Sequence, residues 1–120
     1  MSHLVTIDTK LHDVAALQAA CQRMKLEAPT WGTATLYSGD ANGLLVKLPE
    51  WLYPAVIDPL NGTVRYDNYN GAWGDQGHLD KLLQLYTVEK TKLEARKRGH
   101  IVHEQQLQDG SIKLQIVEAG

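Results

Sequence analysis

Cysteine is almost missing from these 120 residues: Cys21 stands alone, so no internal disulfide can form. Long apolar runs are missing as well. None approaches the roughly 20 residues that a bilayer-spanning helix needs, and no positively charged start leads into an apolar signal core. Together these absences predict a soluble chain of cytoplasmic type with no membrane partner. An excess of one charge is also lacking, since 12 Lys and Arg stand against 14 Asp and Glu for a formal net charge of -2. That balance argues against a dedicated nucleic-acid binder and against an acidic tail. There is no phosphate-cradling glycine loop with lysine, no nucleophile elbow, no cysteine pair, no repeat of fixed period and no low-complexity tract. What remains is one domain, 1–120, large enough to bury a single core.

The chain that is there organises itself around residues 77–118. Leu79, Leu82, Leu83, Tyr86 and Leu93 recur at helical spacing, whereas Lys81, Gln84, Glu89, Lys92 and Arg96 point elsewhere, as in a helix lying on a core. Asp75 and Asp80 mark its start, and Arg96, Lys97 and Arg98 crowd its last turn, where the dipole favours cations. Gly99 fits the left-handed stop. Ile101, Val102 and Leu107, then Ile112, Leu114, Ile116 and Val117, flank Asp109-Gly110 and predict a hairpin. A two-residue turn would set Leu107 opposite Ile112, a three-residue loop would shift the pairing by one, and the apolar pattern fits both.

Earlier in the chain, Val5, Ile7, Thr9 and Leu11 alternate with polar residues as a half-buried strand does. Asp13 can cap a helix whose apolar face is Val14, Leu17, Cys21 and Met24, ended by Pro29. On that face Cys21 reads as an inert core thiol. Trp31, Thr33, Thr35 and Tyr37 alternate with small residues, 38–43 reads as a polar turn, and Leu44, Val46 and Leu48 alternate again. Pro49 and Pro54 bracket Trp51 outside any central strand. Ala55, Val56 and Ile57, a turn from Asp58 to Gly62, then Val64 and Tyr66 predict a third hairpin. The predicted fold is α+β: a two-layer, mostly antiparallel sheet of about six or seven strands with two helices on one face, in the order strand, helix, four strands, helix, two strands.

Few residues invite chemistry. His100 and His103 are the closest histidine pair, but residues three apart in a strand point to opposite faces, so no metal or other cofactor is predicted. Asp58, Asp67 and Asp75 read as turn formers rather than a catalytic pair. Lys90, Lys92, Arg96, Lys97 and Arg98 are interrupted by Glu89 and Glu94, with Glu94 placed to pair with Arg98, which describes a solvated helix face. The most suggestive stretch is 65–77. It carries Arg65, Tyr66, Tyr69 and Trp73 among Asn and Gly, a composition suited to recognition, and Asp75 where free amides at a helix start could attract an anion. The plainer reading is that Trp73 packs on the sheet and the glycines only turn the chain.

Met1-Ser2-His3, the strand to Lys10-Leu11, the Leu85-Tyr86 of the long helix, and the end from Gly99 through Asp109-Gly110-Ser111-Ile112-Lys113-Leu114 together resemble a family of small proteins of unknown function. That family occurs in cyanobacteria, as a hypothetical reading frame of algal plastid genomes, and in other bacteria and phages. The resemblance covers most of 1–26 and 62–117, while 27–61 departs from it. It adds His3 as a binding candidate, beside the plainer reading of a terminal-strand histidine with a satisfied ring. The family has no established activity or catalytic residues to carry over. Its genes often lie near those of ferredoxin-like proteins and AAA-type ATPases, which implies an accessory role beside such a protein partner. The expectation is therefore a non-enzymatic accessory protein, with a small-ligand-binding protein or enzyme using the loop before the second helix as the alternative.

Overall fold

The computed structural model describes the backbone of residues 4–8 and the whole of residues 10–118; His3 lies outside the described residues. Its elements are β1 (Leu4–Asp8), α1 (Val14–Arg23), β2 (Thr30–Leu36), β3 (Gly39–Val46), β4 (Ala55–Asp58), β5 (Thr63–Asp67), a 3-10 turn (Tyr69–Gly71), α2 (Gln76–Lys97), β6 (Ile101–Gln106) and β7 (Ile112–Val117). The class is α+β, in the expected order. The seven strands divide into two antiparallel sheets, one of five in the order β1-β5-β4-β3-β2 and one of two, β6-β7. Between the two sheets runs α2, whose 22 residues rise about 33 Å at 1.5 Å each.

Both helices cover one face of the large sheet. Leu44 and Val46 of β3, Ala55 and Ile57 of β4, and Val64 and Tyr66 of β5 form the sheet side of the main core. Ala16, Leu17, Ala20 and Cys21 of α1, with Leu79, Leu82, Leu85 and Tyr86 of α2, form the helix side. Asp13 caps α1 by accepting from the Ala16 amide at 3.1 Å. Burial pushes the Cys21 thiol up to about 11, so it stays a protonated core thiol.

The second face is covered by the chain's own hairpin. The β2–β3 turn is only Tyr37-Ser38, so 39–43, expected as a turn, extend β3 instead. At Gly43 the strand passes so close to β4 that a Cβ would stand 2.4 Å from the Ile57 carbonyl oxygen, and only glycine fits. Beyond that bend β3 pairs with β2 alone, and Ala34, Leu36 and Ala41 turn onto Val56, Leu45 and Tyr53 as a smaller core. Along the alternation of 31–37 it is Ala34 and Leu36 that are buried, while Trp31 and Tyr37 are 68% and 58% exposed. The curl brings Ser38, at the tip of the arm, to Asp67 at the end of β5.

At the C-terminal hairpin, Gln106 pairs with Ile112 and the Leu107 amide donates to the Ser111 carbonyl. The loop is therefore the three-residue one, 108–110, with Gly110 at φ 88° in the left-handed position that closes it.

Candidate functional site

Between β5 and α2 the chain is braced by Asn68, which is buried. Its side-chain amide donates to the Gly74 carbonyl at 3.3 Å and to Gln76 Oε1 at 3.0 Å, and its backbone carbonyl accepts from the Gly71 and Trp73 amides. Within this frame Tyr69 and Asn70 hold φ of 48° and 53°. Left-handed backbone at a non-glycine residue costs about 1–3 kcal/mol, and two such residues in succession persist only because the frame holds them.

The turn lays the Tyr69 ring on Trp73, with centroids 4.7 Å apart and planes at 29°. Tyr37 reaches the same indole from the β2–β3 tip at 5.3 Å, and Tyr53 meets it edge-on at 5.7 Å. Trp73 is half-buried at the centre, while Tyr37 and Tyr69 on its flanks are 58% and 44% exposed. Beside them Leu52, whose amide donates to the Trp73 carbonyl, is 61% exposed. The result is a ridge of three rings on a fixed frame. Near its base Asp67 is fully buried: Oδ2 accepts from Ser38 Oγ at 3.2 Å, and Oδ1 has no hydrogen-bond partner. A buried unsatisfied acceptor costs about 1–3 kcal/mol, and this one lies two residues before the left-handed Tyr69.

Of the residues singled out from sequence, Tyr69 and Trp73 come together. Tyr66 points to the opposite face of β5, into the main core, where Trp51 meets it edge-on at 5.8 Å. Arg65 lies half-buried on the face that carries Asp67, two residues from it. Asp75 caps α2 by accepting from the Gly77 amide at 3.0 Å, and its carbonyl accepts from the Trp51 indole. Sequence reading missed Tyr37, Tyr53 and Ser38. They are far from the loop along the chain: the curl at Gly43 carries Tyr37 and Ser38 to it, and Tyr53 reaches it from the segment between β3 and β4.

Electrostatics around the start of α2 are negative. The Asp75 carboxylate already occupies a free amide, Asp80 follows one turn later, and a depression of about 460 Å³ beside it is bordered by Asp80 and Asp109. The Ser111 hydroxyl and amide hold Asp109 below the usual carboxylate range. At the other end of α2, Lys90 pairs with Asp13 and Glu94, Lys92 with Glu89 and Glu104, and Lys97 with Glu94. Glu94 thus takes Lys90 and Lys97 rather than the expected Arg98. Among the described residues no three His, Cys, Asp or Glu side chains group as a metal site would require, and no helix is long and apolar enough to cross a membrane. No family model, curated protein or solved structure matches the chain.

Proposed function

We propose that the protein is a non-enzymatic accessory component that binds a protein partner through the ridge of Tyr37, Trp73 and Tyr69. One observation carries the reading: two exposed tyrosines flank a half-buried tryptophan, and the Tyr69-Asn70 backbone is left-handed. Aromatic side chains supply large contact area at low entropy cost, and tryptophan and tyrosine dominate interface hot spots. Strain kept at a surface turn points in the same direction. The alternative of an anion or small-molecule site at the loop before α2 has less support, because the Asp75 carboxylate already takes the Gly77 amide and the depression beside it sets Asp80 and Asp109 against the single cation Lys81. Nucleic acid is disfavoured as a partner because the formal net charge is -2 and three of the five basic residues of 90–98, Lys90, Lys92 and Lys97, are each paired with carboxylates. The family resemblance makes an AAA-type ATPase or a ferredoxin-like protein the first partners to test.

The test is affinity capture from the native cell with the wild type and with Tyr37→Ala/Tyr69→Ala, each checked by circular dichroism. Loss of a specific captured protein with an unchanged spectrum and melting temperature supports the ridge as the binding surface. The same partner at the same yield on the folded double variant sinks it.

A further inference from the structure

Away from the ridge, the C-terminal half of α2 and β7 enclose a groove of about 470 Å³, within the roughly 300–1,000 Å³ of small-molecule sites. Tyr86, Ala95 and Ile116 form its apolar lining, and Lys10, Lys90, Glu94, Arg98 and His100, with the Thr87 and Thr91 hydroxyls, its polar one. The charges do not cancel. Glu94 is shared between Lys90 and Lys97, at 3.7 Å from each, and Lys90 also has Asp13 at 3.6 Å. Arg98, at the C-terminal cap of α2 where the helix dipole favours a cation, enters no ion pair among the described residues and borders the groove. Other donors are already committed. The Tyr86 hydroxyl accepts from the Asp13 amide and donates to the Lys10 carbonyl, and the Thr87 and Thr91 hydroxyls donate to helix carbonyls. What the groove offers a ligand is therefore an apolar trough with a guanidinium and the His100 imidazole at one end.

We propose that this groove binds a small amphipathic anion, with a carboxylate or phosphate-monoester head on Arg98 and His100 and an apolar body along Tyr86, Ala95 and Ile116. A guanidinium matches either head through two parallel hydrogen bonds. The apolar body adds the transfer free energy that the isolated anion lacks. The site shares no residue with the ridge, so its failure and the failure of the interaction reading are independent.

The test is an NMR titration of the full chain, following the Ala95 and Ile116 methyl signals below the micelle concentration of each probe. Octanoate and octyl phosphate are the probes, octylammonium carries the same tail with the opposite charge, and acetate and inorganic phosphate carry the head alone. Saturable binding of at least one octyl anion is expected, at least tenfold tighter than octylammonium or the bare heads, and whichever octyl anion binds tighter identifies the head. Arg98→Gln, at an exposed position, should weaken binding at least tenfold, and Thr91→Trp should fill the trough and abolish it. Equal binding of octylammonium, or unchanged octyl-anion binding in both variants, would overturn the proposal.

Discussion

The two ends of α2 are held in different ways. At the N-terminal end Leu79 and Leu82 are fully buried, and the first turn is tied by Asp75, Asn68, Gln76 and the Trp51 indole. At the C-terminal end Ala95 is the one buried residue after Val88, and the hairpin beside it exposes Ile101, Leu107, Ile116 and Val117. Charge does much of the holding there. Arg23 of α1 grips Glu104 of β6 through both guanidinium nitrogens at 2.9 and 2.7 Å, and Glu89 and Lys92 complete the network. The first end combines apolar burial with hydrogen bonds inside one frame and should hardly respond to salt. The second should respond to salt and to pH. A surface meant to be recognised without rearrangement belongs on the first.

The sharpest contrast is expected between Leu82→Ala and Leu114→Ala. The first removes a fully buried side chain and should cost about 2–5 kcal/mol in a urea titration. The second touches a half-buried hairpin residue and should shift the midpoint far less; equal losses would erase the distinction between the ends. Trp73→Ala should fall next, at about 2 kcal/mol, below the roughly 3–5 kcal/mol of a fully buried aromatic, because Trp73 is half-buried against three tyrosines. An unchanged midpoint would mean that the ridge has no frame. Gly110→Val forces a β-branched residue into φ 88°, at about 1–2 kcal/mol. Amide exchange should accelerate in β6 and β7 and stay unchanged in β3 to β5.

The smallest effect belongs to Glu104→Gln, about 1 kcal/mol or less for a partly exposed pair. Its pH signature is more telling. The Arg23 hydrogen bonds, above all, hold the Glu104 carboxyl below its ordinary range. Its contribution is therefore complete above the ordinary glutamate range and is lost as pH falls through the depressed folded value. Hairpin signals followed by NMR should shift in that acid window in the wild type and not in Glu104→Gln. A wild-type hairpin indifferent to that window would remove the electrostatic account.

Much of this was legible in the residues. The Asp13 and Asp75 caps, the Asp58–Gly62 turn and the alternation of 63–67 are local signals, and each produced its element. The stripe of α2 was legible only in part. Leu79, Leu82 and Tyr86 are buried as expected, but Leu85 and Val88 are buried too, and Leu83 and Leu93 only half so. A single-faced pattern failed because α2 meets α1 and the sheet on one side and the hairpin on another. Alternation also cannot say whether a strand face is covered: β4 is nearly all buried and β6 nearly all exposed. The ridge was the least legible part. Tyr69 and Trp73 lie within one loop, but Tyr37 joins them only because Gly43 lets the β2–β3 arm curl, a contact between distant residues that no local pattern encodes.

Hydroxyl-radical footprinting of the protein alone, and of the same protein in the assembly purified from its native cell, reads out whether the aromatic ridge is the surface that a partner covers. Tyr37 and Tyr69 should be oxidised readily in the isolated chain and protected in the assembly, while Ile101 and Val117 of the hairpin react alike in both. Protection confined to the hairpin, with Tyr37 and Tyr69 unchanged, would contradict the ridge as that surface.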